Sequence, residues 1–419
     1  MTKLRLNKVI LIVFLLMPIV ESLNGYFYGK GISDIYRFLL MILILGYFMK
    51  YGQRLSCYML KFMFLTCIFL LVLVIQFLWF HKNQGVFMAD IKSVLRILLA
   101  PMYLVFFYEA LHAKDISRTD LKHLLIGYSL LYSLLVVIPY LQGTGYVSYD
   151  FDGNGLMSKS SEVKGIGCKG YFIELNSLIA ILSACSFFIK NMIIKFINKK
   201  QSNQLLLATV IYILLIAALF ITATKLGIAL AFLCSGILII QILQCNIITK
   251  QKLFIVLFIS SFLVILRLLL GNLFTEVLSR LDYFYGQSDG DLLNVITSNR
   301  YSYLIESLKE IDQSGHSTFI DFFGAGYYSS FSLNGFKRSI VEMDWFDLYF
   351  SYGIFGFASY LYFFKDAVFA LFSSKRNEMK SMLLIFLLYS FLGGHIIVNS
   401  MTATFLAICL SYSSDIYEI

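Results

Sequence analysis

Charged side chains gather where a polar loop of this chain enters a long apolar run. The loop contains the glycine hairpin 324–326 and Arg338, and three acids follow it at Glu342, Asp344 and Asp347. Charges at the mouth of a membrane helix are costly to place, so they indicate a site. A carboxylate there can accept a proton, and we predict Glu342 as the first candidate and Asp344 as the second. Asp347 is better explained as a helix-capping acid.

Further polar side chains lie in or beside apolar runs, where each needs water or an oppositely charged partner. Arg is suited to bidentate contact with phosphate, which favours an anionic substrate. For Lys169, Lys225 and Arg267 the alternative is an interfacial or snorkelling side chain without a chemical role. For Arg300 it is a solvated surface charge, and for His395 a hydrogen-bonded role in helix packing. Arg300 joins the two acids as a predicted catalytic residue. The predicted substrate-binding residues are Lys169, Asn176, Lys225, Arg267, Arg338 and His395.

The sequence carries no signature of metal or cofactor chemistry. Its seven cysteines show neither a disulfide framework nor zinc-ligand spacing. No phosphate-binding glycine loop, nucleophile elbow or paired metal-ligand helix is present. Asp150 and Asp152 form an acidic pair like that of metal-dependent glycosyltransferases, but such pairs are common in loops. We therefore predict a reaction without a metal ion or cofactor.

The composition places these residues in a polytopic membrane protein. The 419 residues are 59% hydrophobic and 14% charged, whereas soluble domains carry about 25% charge. The net charge of +9 does not favour nucleic-acid binding, because positive charge in membrane proteins marks cytoplasmic loops. The basic, apolar N-terminus lacks a signal-peptide cleavage site, so we expect it to remain as the first span.

Apolar runs of about 20 residues predict an all-α bundle of about twelve membrane-spanning helices. We expect the chain to form one membrane domain, 1–419. The predicted spans lie near residues 9–28, 34–50, 57–80, 91–111, 121–141, 171–190, 204–222, 225–244, 252–272, 343–373, 380–397 and 400–414.

Lysine and arginine predict the orientation of these spans. Short basic loops on one side hold most of the 34 lysines and arginines, which places both termini in the cytoplasm. The two long loops, 142–169 and 273–342, then lie outside the cytoplasmic (inner) membrane. Residues 298–311 have apolar positions at helical spacing, so we expect short amphipathic helices in these loops.

Four local motifs, in this order and on the outer side, resemble those of the bacterial O-antigen and capsular polysaccharide polymerases, which are related to the O-antigen ligases. The motifs are Lys169-Gly170 with Asn176, Thr224-Lys225, Arg300 leading into 323–327, and Glu342-Met343-Asp344 followed by 352–356. Two departures matter. The family often has Arg at the positions of Lys169 and Lys225. The ligases carry His near the position of Glu342, which favours a polymerase.

The resemblance implies a metal-independent glycosyltransferase on the outer face of the membrane. Its donor would be a glycan on undecaprenyl pyrophosphate, and its acceptor a lipid-linked repeat unit. Arg300, Lys225, Lys169 and Arg338 would stabilise the leaving pyrophosphate, and Glu342 would take the acceptor proton. The implied partners are these glycans, membrane lipids and a chain-length regulator protein, with no nucleic acid.

Two alternatives remain open from the residues. An O-antigen ligase would use the same donor with a different acceptor. A flippase or other transporter would favour short loops and helices broken at mid-membrane. The long loops on one side of this chain, and only three prolines, favour an enzyme over a transporter.

Overall fold

The computed structural model describes residues 3–27, 29–51, 56–150, 165–245, 291–327 and 340–412, with a few isolated positions between 246 and 290. Within these residues the chain forms helices and one two-stranded sheet. The first helices and the strands are α1 (Lys3–Tyr26), α2 (Ile32–Tyr51), α3 (Cys57–Trp79), α4 (Gln84–Ile97), α5 (Leu99–His112), α6 (Arg118–Leu141), β1 (Val147–Asp150), β2 (Gly165–Cys168), α7 (Leu175–Lys199), α8 (Ser202–Ile221) and α9 (Lys225–Gln244). The remaining helices are α10 (Leu292–Thr297), α11 (Arg300–Gln313), α12 (Ser317–Phe323), α13 (Asp344–Ser373), α14 (Asn377–Leu392) and α15 (Ser400–Ser411).

The predicted helical membrane protein is confirmed at this level. In the described part of the chain, nine helical stretches are long and apolar enough to cross a bilayer. The predicted number of twelve is not established, and the predicted span 252–272 lies outside the described residues. Helices dominate because lipid offers no partner to a backbone N–H or C=O, so each span must satisfy its own groups.

Two predicted spans differ from the structure. The span predicted at 91–111 consists of α4 and α5, which meet at Leu98. The span predicted at 380–397 ends at Leu392, and non-helical chain follows through Asn399. His395, predicted within that span, is therefore not on a helix. Two consecutive residues there, Gly394 and His395, have positive φ, which a right-handed helix does not accommodate.

The first long loop contains strands in its described part, where we expected a short helix. Strands β1 and β2 pair antiparallel, with Val147 opposite Cys168 and Tyr149 opposite Ile166. Asp152 of the acidic pair lies outside the described residues. In the second long loop the prediction of helix near 298–311 is confirmed by α11, which begins at Arg300.

The chain divides into two compact units. The first comprises residues 1–45, 117–282 and 377–385. Its centre is α7, which packs against α6, α8 and α9, while α6 also packs against α1. Small residues such as Ala180, Ser183 and Ala184 are fully buried on α7, and small side chains let neighbouring membrane helices approach closely.

The second unit comprises residues 46–116, 283–376 and 386–419. Here α15 packs along α5, while α13 packs against α3 and α12. A buried apolar cluster ties the non-spanning helices α11 and α12 to the start of α13. Its buried members are Phe80, Leu304, Ile311, Ile320, Ala325, Val341, Met343 and Phe350.

Candidate active site

A break in α13 shapes the candidate site of the second unit. Gly353 interrupts the helix with φ 62° and ψ −171°, a conformation that favours glycine. A side chain at Gly353 would overlap the backbone of Phe322, and one at Gly324 would overlap the backbone of Ser351. The chain leaving α12 therefore touches α13 backbone to backbone. The glycines of the predicted hairpin 324–326 make this contact possible.

Arg300 and Glu342 form an ion pair that joins the start of α11 to the segment before α13. Arg300 Nη2 lies 2.9 Å from Glu342 Oε2, and Arg300 Nη1 donates to the carbonyl oxygens of Thr297 and Leu392 at 3.3 and 3.4 Å. The Arg300 side chain is 14% exposed and that of Glu342 is 45% exposed. Two predicted catalytic residues thus meet, with the carboxylate open to the surface.

Glu342 has a strained backbone. Its φ is +59°, a left-handed conformation that costs a non-glycine residue about 1–3 kcal/mol. An ion pair with a half-exposed partner contributes at most about 1 kcal/mol. Stability therefore does not explain the arrangement, and retained strain of this kind favours a functional role. Glu342 precedes α13, which begins at Asp344.

Asp344 is held in a way that favours anchoring over proton transfer. Its buried carboxylate accepts hydrogen bonds from three successive backbone N–H groups, those of His395 and Ile396 at 2.7 Å and Ile397 at 3.1 Å. The non-helical segment after α14 is therefore wrapped around the Asp344 carboxylate. Gly394 lies so close to the carbonyl of Glu342 that a Cβ there would overlap it. The catalytic role of Asp344 stays a prediction.

An open cavity of about 520 Å³ is lined by aromatic and aliphatic side chains of the same unit. Its walls come from α11, α13 and the end of α14. Two wall residues are close in the chain to the ion pair and its contacts: Leu304 lies one turn after Arg300, and Phe391 precedes Leu392. We name this cavity the aromatic groove. The complete lining is Leu304, Leu308, Trp345, Phe346, Tyr349, Phe350, Phe357, Leu361 and Phe391.

Sequence reasoning missed a buried polar cluster in the same unit. Lys82 and Asp90 form an ion pair at 2.6 Å, with each side chain 1% exposed. Burial lowers the pKa of Lys82, while the nearby Asp90 carboxylate opposes that shift. A lysine that ends a span, followed eight residues later by an aspartate in the next helix, was the available signal.

The first unit holds three of the predicted binding residues. Lys169 is buried, and its Nζ donates to the carbonyl of Ile173 at 3.2 Å. Burial lowers its pKa to about 8, against the opposing effects of Glu174 and Cys168. Asn176 and Lys225 are half-buried in the first turns of α7 and α9.

Strand β2 brings the segments of Lys169 and Lys225 together. Gly167 packs so closely on the reversal between α8 and α9 that a Cβ would overlap the carbonyl of Thr222. That reversal leads to Thr224, whose hydroxyl accepts a hydrogen bond from the N–H of Gly227 and so caps α9. The other two predicted cations, Arg267 and Arg338, lie outside the described residues.

Comparison with known proteins gives one family. The chain has no significant match among curated proteins. Residues 282–414, about a third of the chain, match the family model described as O-antigen ligase like membrane protein. The matched region contains Arg300, Glu342 and the aromatic groove. The predicted resemblance is confirmed for this region: residues 282–414 are similar to the O-antigen ligase like membrane proteins.

Proposed function

We propose that this protein is a polysaccharide polymerase that joins undecaprenyl-pyrophosphate-linked repeat units on the outer face of the cytoplasmic membrane. The acceptor hydroxyl attacks the anomeric carbon of the donor glycan, and a glycosidic C–O bond forms. The bond from that carbon to the pyrophosphate oxygen breaks, and its electron pair leaves with the lipid pyrophosphate. Glu342 takes the hydroxyl proton.

The observation that carries this proposal is the Arg300–Glu342 pair, together with an aromatic groove whose walls come from residues that neighbour the pair in the chain. The reaction needs a cation for the developing pyrophosphate charge and a base for the acceptor. It also needs an apolar surface for the polyprenyl chain, and the groove has the size of a ligand pocket. No metal ion is required in this scheme. Lys169, Lys225 and Arg338 stay predicted contributors to anion binding.

The test uses Glu342→Gln, which preserves side-chain shape and removes the base. Membranes containing each variant receive lipid-linked repeat units extracted from cells that lack the gene, and products are resolved as a ladder. We expect the elongation rate to fall by about 100-fold or more. Glu306→Gln, an exposed glutamate on α11, is the matched control and should leave the ladder unchanged. A normal ladder from Glu342→Gln would remove Glu342 from the reaction.

A second candidate function is that of an O-antigen ligase, which the family description favours. Donor and leaving group are the same, and the acceptor is a lipid A core. Deletion of the gene separates the two functions. Loss of a polymerase leaves one repeat unit per lipid carrier, whereas loss of a ligase leaves long polymer that is not attached to its acceptor.

A further inference from the structure

Three polar side chains are buried where α3 ends and α4 begins. The Lys82 ammonium has three oxygen partners: Asp90 Oδ2 at 2.6 Å, the carbonyl of Ala325 at 3.0 Å and Gln76 Oε1 at 3.4 Å. An ammonium group has three N–H donors, so this set satisfies it fully. Replacing a buried ion pair with apolar side chains is often neutral for stability, so stability alone does not explain the pair.

The cluster also satisfies backbone groups at the break in α13. Gln76 Nε2 donates to the carbonyls of Phe323 and Ser351, at 2.5 and 2.8 Å. Alongside it, the N–H of Ala325 donates to the carbonyl of Phe350, and the N–H of Gly326 donates to that of Ser351, each at 2.9 Å. The chain after α12 is therefore joined to the broken helix by side-chain and main-chain bonds together.

The segment 324–326 packs so closely against α13 and the Lys82–Asp90 pair that it has no space to shift along α13. Gly326 has φ +92°, and a Cβ at this position would overlap both Lys82 Nζ and Asp90 Oδ2. A displacement of the chain along α13 would also break the close contact of Gly324 with Ser351. The cluster thus holds Ala325 at one position relative to α13.

Ala325 connects the polar cluster to the Arg300–Glu342 pair, because it packs in the apolar cluster of the second unit. It is fully buried in that cluster together with Leu304, Val341 and Met343. Leu304 lies one turn after Arg300 on α11, while Val341 and Met343 flank Glu342 on both sides. Packed interiors transmit small displacements because they contain few voids.

We infer that Lys82, Asp90 and Gln76 form a positioning cluster that sets the geometry of the Arg300–Glu342 pair. These residues do not touch substrate, and they act through Ala325 and its packing neighbours. The inference rests on the proposed function, since it assigns the pair a reaction whose rate depends on its geometry. A displacement of about 1 Å at a catalytic group can lower a rate by about 100-fold.

The test replaces the ion pair with apolar side chains of similar size, Lys82→Met with Asp90→Leu. The matched control is Lys61→Met with Asp366→Leu, which removes another lysine–aspartate pair near the opposite end of α3. Initial elongation rates are measured over a range of concentrations of the extracted lipid-linked repeat unit, and thermal unfolding is followed on the same samples. We expect kcat per folded protein to fall by about 100-fold with KM unchanged, and Tm to fall somewhat because the carbonyl of Ala325 loses its donor. The control should stay within about twofold of wild type in kcat.

The possible outcomes are distinct. A wild-type kcat in the Lys82→Met, Asp90→Leu protein overturns the inference while the proposed function stands. A kcat loss that matches a loss of folded protein, or that the control shares, also overturns it. If the double variant does not fold, Gln76→Met removes both carbonyl contacts and keeps the ion pair, and a wild-type kcat there overturns the inference. A wild-type protein without elongation activity instead overturns the proposed function.

Discussion

At the scale of single residues, Lys169 couples folding to pH. Its pKa falls from 10.5 to about 8 in the folded protein because burial penalises the charged amine. Between these two values the unfolded chain binds a proton that the folded chain has released. Stability therefore rises as pH increases from 8 to 10.5, by about 3 kcal/mol from this residue alone.

Lys169→Met measures this contribution, because methionine has similar length and does not titrate. Thermal unfolding of both proteins is followed from pH 7 to 10.5. We expect the variant to be the more stable protein at pH 7, and the difference to shrink as pH rises. A difference between the two proteins that does not change with pH would contradict the shifted pKa.

Asp344 is the second residue-scale case, and here the effect is on the fold. Asp344→Asn places an NH₂ group where a carboxylate oxygen now accepts backbone N–H donors. Because this leaves a buried donor unsatisfied, we expect a loss of about 3 kcal/mol in stability. Asp321→Asn is the control, since Asp321 is exposed and the amide oxygen can still accept from the Tyr349 hydroxyl. Equal Tm values for the two variants would argue against an anchoring role.

At the scale of elements, the broken helix α13 depends on one glycine. Gly353→Ala introduces a Cβ into the backbone of Phe322 and requires an unfavourable φ. Neither backbone can yield locally, so we expect a destabilisation of about 3 kcal/mol or more, seen as a lower Tm.

Gly46→Ala provides the comparison for that variant. Gly46 is on α2, and nothing lies within 4 Å of the added Cβ. Alanine has the higher helix propensity, so this variant should be neutral or about 1 kcal/mol more stable. Should the two alanine variants unfold at the same temperature, the break in α13 would not depend on close backbone contact.

At the scale of the whole molecule, the distribution of basic loops predicts which surfaces face the cytoplasm. Lys309 on α11 and Lys199 at the end of α7 are both exposed and lie in loops predicted on opposite sides. A membrane-impermeant maleimide should label Lys309→Cys in intact spheroplasts. It should label Lys199→Cys only after the membrane is permeabilised. The wild-type protein supplies the background from its own cysteines, and the reverse labelling pattern would invert the proposed topology.

The sequence alone determined the class of fold and the region of the candidate site. Apolar runs predict helices because lipid forces each span to satisfy its own backbone hydrogen bonds. The glycines of 324–326 and the charges at Arg300, Glu342 and Asp344 were visible as local departures from an apolar pattern. Signals of this kind can be read from a single sequence, because each depends on one short segment.

Tertiary structure decided which of these charges meet. Arg300 and Glu342 are 42 residues apart, and packing of α11 against the start of α13 brings them to 2.9 Å. Tertiary packing also brings Lys82 to the carbonyl of Ala325. No sequence pattern in either segment predicts that contact. His395 is not on the helix predicted for it, because Asp344, distant in sequence, binds the backbone of that segment. Sequence patterns report the preferences of one segment, whereas the partner of a buried charge depends on the packing of several.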